Sequence, residues 1–227
     1  MNTTDALILF FKYPEQGRVK TRLASSFGQA FALELYVSFL KDILAMSSSV
    51  QADKIIVTDV WGDIPAHMLD MGTGYRTMLQ QGEDIGIRMF NAFLQIFDMG
   101  YQRAVLIGGD SPDLPAEFIQ RALNALFSHD AALGKSTDGG YYLIGFKNET
   151  CLPQFFQGIQ WSTQYVFQDT VVKMSQAGKT IYLLPEWNDI DEKDDLISFY
   201  NQKSQKQISH TIEFLDNVHA LTSNGDS

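Results

Sequence analysis

Cysteine is almost missing from this sequence: Cys151 is the single one. An intramolecular disulfide is therefore excluded, and a reducing compartment is expected. No histidine-rich signature accompanies Cys151, so it reads as a small core residue and not as a nucleophile. Histidine is also sparse. His67, His129, His210 and His219 are scattered, without the spacing of a zinc site. No apolar run approaches the length of a membrane span. The first such run, Ala6–Phe11, follows Asp5 and ends at Lys12, which is not the pattern of a signal peptide. Positive charge is scarce, 17 Lys and Arg against 27 Asp and Glu, for a net charge of −10. General binding to nucleic acid or to an anionic membrane is thereby disfavoured, and any anionic ligand needs a local positive site. The expectation is a cytoplasmic protein with no nucleic-acid partner and no membrane span.

What is present suffices for a sizeable core. Of 227 residues, 45% are hydrophobic and 19% charged, which fits one domain, taken as residues 1–221 with 222–227 as a flexible tail. Short apolar runs alternate with stretches of helical periodicity. Strands are expected at Ala6–Phe11, Lys54–Thr58, Arg76–Gln80, Ala104–Ile107, Ala131–Leu133, Gly140–Phe146 and Thr180–Leu184. Helices are expected at Phe27–Met46, Ile85–Phe97, Ala116–Phe127, Thr163–Ala177 and Asp191–Tyr200. A last one carries Ile208, Ile212, Leu215 and Val218, and a short one lies near Ala66–Met71. This alternation predicts an α/β fold, a mostly parallel sheet covered on both faces. The two strands flanking Asp138 break the rhythm, and the second is a candidate antiparallel strand.

The chemistry-bearing residues fall in five stretches. In Arg103–Pro115, RAVLIGGDSPDLP, a buried strand runs into Gly108 and Gly109, which leave room for a ligand and deliver Asp110 to the carboxyl edge of the sheet. Asp110 reads as a metal-binding carboxylate, and Asp113 as the cap of the next helix. Lys12, Arg18, Lys20 and Arg22 form a positive patch after the first strand. A phosphate site is the reading favoured for it, against an exposed basic face paired with nearby acids. It contains neither the Walker pattern nor G-x-G-x-x-G. In Gln80–Arg88 a side-chain amide is placed to read a base edge, while Glu83 and Asp84 suit a helix start. In Ser136–Tyr142, Asp138 before Gly139 and Gly140 is either a plain turn or, with an aromatic face from Tyr141, a sugar site. Asp189 and Asp191 share one face of an extended chain, and either completes a cation shell begun by Asp110. Hard oxygen ligands beside a polyphosphate suit Mg²⁺ or Mn²⁺. Trp161 is either core or a platform for a sugar, and Ser162 or Thr163 caps the helix after it.

Taken in order, the motifs are F-x-K-Y-P-x-x-G-R-V-K-T-R-L-A, Q-G-x-D-x-G-x-R-M, G-x-D-x-P-D-L, D-G-G-Y-Y-L-I-G, I-x-W-S-T and D-x-D-x-x-x-D-L. The set, spanning about Ala6 to Leu196, resembles a bacterial family of small GT-A-type glycosyltransferases. That family is associated with radical-SAM and selenium-domain proteins and named for arsenosugar biosynthesis. It is similar to nucleotide-diphospho-sugar transferases and to guanylyltransferases. The resemblance implies a three-layer GT-A-like sandwich and transfer of a sugar from a nucleotide-diphospho-sugar to a small acceptor. It implies that Lys20 and Arg22, with Arg18 nearby, hold nucleotide phosphates. Gln81 and Gly86 lie on the base side, Asp110 binds metal, and Asp138, Gly139 and Gly140 meet sugar or acceptor. Asp189 and Asp191 match the late carboxylate pair, and Asp138 is placed to take the acceptor's proton. The alternative is a nucleotidyltransferase that releases pyrophosphate. Lys135 stands where the family pattern has proline, and Glu192 where it has threonine.

Overall fold

The computed structural model describes residues 4–60, 75–203 and 210–218. The short helix expected near Ala66–Met71 and the tail 222–227 lie outside them.

Seven strands form one sheet: β1 (Asp5–Phe11), β2 (Asp53–Thr58), β3 (Arg76–Leu79), β4 (Arg103–Ile107), β5 (Ala131–Ser136), β6 (Tyr141–Lys147) and β7 (Ile181–Trp187). Their order is β3-β2-β1-β4-β6-β5-β7. β1 pairs in parallel with β2 and β4, β2 with β3, and β5 with β7. β6 alone runs the other way, antiparallel to both β4 and β5. This is the mostly parallel sheet that the alternation of elements predicts, with the antiparallel strand where the rhythm broke.

The continuous apolar runs follow from burial on both faces. Alternate residues of one strand enter opposite cores. Leu7, Leu9, Phe11, Val105 and Ile107 face one; Ala6, Ile8, Ala104 and Leu106 face the other. The first core is closed by α2 (Gln29–Ser47) through Tyr36, Leu40 and Ile43, and by α4 (Ala116–Ala125) through Ile119 and Leu123. The second is closed by α3 (Ile85–Asp98) and α5 (Val166–Gln176), with an aromatic cluster of Phe93, Phe146, Phe155 and Phe156. Cys151 is buried here, and burial pushes its thiol well above the ordinary range. A third, smaller cluster joins α1 (Thr21–Phe27), α2, α6 (Lys193–Asn201) and α7 (His210–Val218) through Leu23, Leu35, Phe39, Leu196 and Leu215.

The single helix expected from Phe27 is two. Gly28, at φ 90°, interrupts it, and α1 begins instead at Thr21, inside the stretch read as a basic loop. The helical period of Phe31, Leu35, Phe39 and Ile43 is real, but it marks only α2. Two further expectations about helix starts are corrected. Asp113 does not cap α4, whose N-cap is Pro115; its carboxylate accepts from the Trp187 indole at 3.2 Å. Neither Ser162 nor Thr163 caps α5, which begins after Tyr165; Thr163 Oγ1 closes the preceding turn instead. By contrast, Asp84 caps α3 by accepting from Ile87 N at 2.8 Å. Glu192 and Asp195 form a reciprocal capping box on α6.

Asp42, on α2 and 3% exposed, accepts from the backbone N–H groups of His210 at 3.0 Å and Thr211 at 2.8 Å. A side chain of one helix thus caps another far along the chain. Asp42→Ala strands these two donors and is expected to cost about 1–2 kcal/mol, the range for a lost cap. A urea midpoint that falls at unchanged m-value is the check; an unchanged midpoint refutes the assignment. At the start of β5, Asp130 accepts from Thr180 N and Oγ1, both at 2.9 Å. These bonds, chiefly the one from Thr180 N–H, hold its carboxyl below the ordinary value. Its stabilising effect is complete above the unfolded-state pKa of about 4 and is lost as pH falls through the lower folded-state pKa. The gap in melting temperature between the protein and Asp130→Asn should therefore close as pH is lowered from about 6 to about 3.

Candidate functional site

The carboxyl ends of β1 and β4 open into a cavity of about 570 Å³. One part of its wall carries charge: Lys12, Lys20, Arg22, Asp110, Asp138 and Asp191. Another part is apolar and aromatic, with Phe10, Met89, Tyr141, Trp161 and Val166. Arg88 and Gln80 also line it.

Lys20 sits at the hub of the charged part. It is the N-cap residue of α1 in a left-handed conformation at φ 46°, and its side chain is 2% exposed. The ammonium lies 2.5 Å from Asp110 Oδ1 and 2.9 Å from Asp191 Oδ1, and it donates to Ile190 O at 2.6 Å. Burial by itself would lower its pKa; the charges of Asp110 and Asp191 outweigh burial and hold it above the ordinary value. The two carboxylates keep 48% and 41% of their side-chain surface exposed. The backbone repeats the link, with Ile190 N donating to Asp110 O at 2.9 Å.

Asp189 does not join them. Ser111 Oγ donates to its Oδ1 at 2.6 Å and Ser136 Oγ to its Oδ2 at 2.7 Å. Burial, with Asp110 nearby, pushes its pKa up to about 6, against those two hydrogen bonds. Asp189 is thus a strut tying the segment after β7 to the ends of β4 and β5, and it does not line the cavity. Of the three carboxylates expected to hold a metal, Asp110 and Asp191 line the cavity and Asp189 does not. Among the described residues no three Asp, Glu, His or Cys side chains form a metal-holding group. Two hard carboxylates are nonetheless a donor set that fits Mg²⁺ or Mn²⁺, which take one or two protein carboxylates and complete their shell with water and substrate phosphate.

The positive patch divides. Arg18 does not reach the cavity; its guanidinium pairs with Glu15 at 3.0 Å and Asp59 at 2.9 Å, pinning the loop. Arg22 and Lys12 line the cavity. Arg22 makes only a loose 3.4 Å contact with Glu192, both side chains being about two-thirds exposed at 67% and 64%.

Two glycines expected at the ligand, Gly86 and Gly139, serve packing instead. A Cβ on Gly86 would stand 2.3 Å from Trp161 Cζ2, so Gly86 is the seat of the Trp161 ring and is absent from the cavity wall. A Cβ on Gly139, at φ 92°, would stand 2.2 Å from Gln164 O; this glycine too faces protein. Gly108 and Gly109 do line the cavity, and Gly109 also admits Tyr36, whose hydroxyl would lie 2.9 Å from an added Cβ. Gly140 does line the cavity, and its N–H donates to Asp138 Oδ1 at 2.8 Å, so the D-G-G stretch is a turn at the cavity wall. Tyr141 and Tyr142 split between the two cores as alternation requires. Trp161 is both packed on the second core and part of the wall, in an edge contact with Tyr141 at 6.4 Å.

The resemblance points to Gln81 rather than Gln80, and the sequence reading gives no role to Arg88 or Tyr36, among other wall residues. Gln81 is outside the cavity and its neighbour Gln80 is in it. The Gln80 amide donates to Phe11 O at 2.9 Å and Val57 O at 3.2 Å, stitching the ends of β1 and β2. Arg88, held by Nε to Gly82 O at 2.9 Å, was visible in the Q-G-x-D-x-G-x-R motif but given no role. Tyr36 carried no local signal, since it reads as one more core position of α2. Its hydroxyl bonds the Lys12 backbone, and burial, with Asp110 nearby, holds the phenol well above its ordinary pKa. The two departures from the family pattern are accommodated: Lys135 pairs with Glu186 at 3.1 Å beside a bulge in β5, and Glu192 is the cap described above.

Comparison with solved structures returns a candidate nucleotide-diphospho-sugar transferase from Desulfovibrio desulfuricans G20, 41% identical over 96% of each chain, with a TM-score of 0.88. A nucleotidyl transferase from Methanothermobacter thermautotroptrophicus matches with a TM-score of 0.61 at 12% identity, over 90% of this chain and 99% of that one. A 4-diphosphocytidyl-2C-methyl-D-erythritol synthase from Anaerococcus prevotii DSM 20548 matches with 0.58 at 14%, over 89% and 97%. These last two share the fold alone. No curated protein sequence matches. No helix among the described residues is long and apolar enough to cross a membrane. The family model DUF2064, described as "Uncharacterized protein conserved in bacteria", matches residues 43–163. With more than half of its length matched by that model, and with the nucleotide-diphospho-sugar transferase fold from end to end, the chain belongs to the DUF2064 family.

Proposed function

We propose that this protein is a metal-dependent glycosyltransferase that moves a sugar from a nucleotide-diphospho-sugar to a small acceptor. The observation that carries this reading is the meeting of Asp110 and Asp191 on the wall of a cavity that is also lined by the exposed Lys12 and Arg22 and the half-buried Arg88. The 41% identical relative supports it. A carboxylate edge on a protein of charge −10 repels a diphosphate unless cations intervene. Mg²⁺ or Mn²⁺ held by Asp110 and Asp191 would supply that charge at the leaving diphosphate.

In this reading an acceptor hydroxyl attacks the anomeric carbon, and the bond from that carbon to the diphosphate oxygen breaks. Charge builds on the diphosphate as it leaves, so Lys12 and Arg22 act mainly in the transition state. Arg22 can bind two phosphate oxygens at once, and Lys12 acts as a point charge. Asp138, exposed on the cavity wall, accepts the acceptor's proton through the oxygen that does not bond Gly140 N. Trp161 and Tyr141 offer an apolar face to a sugar ring while excluding water. A second reading, nucleotidyl transfer with loss of pyrophosphate, has one observation in its favour: solved structures with the same fold include such enzymes.

Thermal melts against a panel of nucleotide sugars and nucleoside triphosphates, each with Mn²⁺ or EDTA, separate the two. The expected result is stabilisation by a nucleotide sugar that EDTA abolishes, with the mass of a glycosylated acceptor among the products. Stabilisation by triphosphates alone, with pyrophosphate released, establishes the second reading and removes the first. Asp110→Ala should lower turnover by about a hundredfold or more, as expected for losing an electrostatic group at the leaving charge. Gly86→Ala drives a methyl into Trp161 and should cost about 1–3 kcal/mol by overpacking. Trp161→Phe in the same chain should recover part of that loss, read as the urea midpoint.

A further inference from the structure

We infer that Lys20 is the resident counter-cation of the Asp110–Asp191 pair, a positioning residue that holds the two carboxylates together, and that it is not a ligand of the nucleotide's phosphates. This rests on the reading of the cavity as a nucleotide and metal site, and it departs from the phosphate role that the motif resemblance implies for this residue.

An ammonium has three N–H donors. Those of Lys20 match three acceptors: Asp110 Oδ1 at 2.5 Å, Asp191 Oδ1 at 2.9 Å and Ile190 O at 2.6 Å. No donor is left for a phosphate oxygen. The side chain is also fixed from behind. It leaves the backbone from a left-handed residue at the first turn of α1, it is 2% exposed, and its ammonium lies 5.3 Å from the Phe39 ring centre. Moving it toward a ligand breaks a buried hydrogen bond to Ile190 O and two charge-assisted ones together. Arg22, by contrast, is two-thirds exposed at 67% with one contact at 3.4 Å, and is free to turn.

The arrangement has a consequence for cation binding. With Lys20 in place, Asp110 and Asp191 present a net charge of one to an incoming divalent ion; without it they present two. The carboxylates do not scatter when Lys20 is lost, because Ile190 N still bonds Asp110 O and the capping box still holds the segment at Asp191. Lys20 therefore keeps the divalent cation weakly bound until a diphosphate adds its own charge.

Two measurements test this. In the wild-type protein, the Lys20 Nζ resonance, assigned through its loss in Lys20→Arg, should be protected from exchange. It should keep that protection and show no coupling to ³¹P when UDP or GDP is added with Mg²⁺, and it should move in Asp191→Asn. A Lys20 Nζ signal that shifts with the diphosphate and shows coupling to its ³¹P overturns the inference while leaving the nucleotide reading intact. In the second, Mn²⁺ binding without nucleotide is followed by electron paramagnetic resonance. Lys20→Met should bind Mn²⁺ about tenfold more tightly, the scale of removing one positive charge a few ångströms from a divalent ion. Equal or weaker binding overturns the inference, and should Lys20→Met fail to fold, the wild-type resonance decides. A wild-type protein that takes up neither Mn²⁺ nor any nucleoside diphosphate overturns the nucleotide reading and this inference with it.

Discussion

One ammonium holds the working edge of this protein in shape. Lys20 lies just after β1, Asp110 just after β4, and Asp191 in the segment that follows β7. In sheet order β7 is separated from β4 by β6 and β5. Nothing in the strand ladders brings the ends of β4 and β7 together. The ion pairs do, and Ile190, on both its N–H and its C=O, completes the joint. Removing one partner of a buried pair typically costs about 3–5 kcal/mol. Here the loss falls unevenly, because Lys20 is buried while both carboxylates are nearly half exposed and regain water.

Asp189 completes the joint from the inner side. It lies between Ile190 and the sheet, and its two oxygens are taken by serines from two different strand ends. The D-I-D stretch therefore does two jobs on alternate residues. Asp191 faces the cavity and Asp189 faces the protein. Alternation along an extended chain places such residues on one face only where the backbone stays regular. The backbone here is leaving β7 for the capping box of α6, and the two aspartates part company.

The fold was largely legible because its causes are local. Buried parallel strands are short apolar runs, and β1, β2 and β4 announce themselves as such. The antiparallel place of β6 was legible as a break in rhythm. The split between α1 and α2 was not, since Leu23 and Phe27 fit a basic loop as well as a short helix until Gly28 is seen at positive φ. For the site, the residue types were legible and their partners were not. Lys20 and Asp191 are 171 positions apart, and no pattern in sequence records such a pairing. Glycine is ambiguous for a physical reason: a missing Cβ admits a ligand or a side chain equally well. Gly86 admits the Trp161 ring and stays off the cavity wall, whereas Gly109 lines the cavity and admits Tyr36 as well.

The cavity wall meets opposed demands. A site for a polyanion needs positive charge, yet a site for a divalent cation needs carboxylates, and this wall has both within reach of one another. Left unpartnered, Asp110, Asp138, Asp189 and Asp191 would repel one another; the raised pKa of Asp189 records its burial first, and then the charges of Asp110 and Asp138. Lys20 removes most of the conflict from inside, through contacts that do not point at a ligand. In the proposed reading, the exposed Lys12 and Arg22 and the half-buried Arg88 would be left to meet the anion. In that reading, separating the cation that organises carboxylates from the cations that would meet substrate lets one edge of an acidic protein hold both kinds of charge at once.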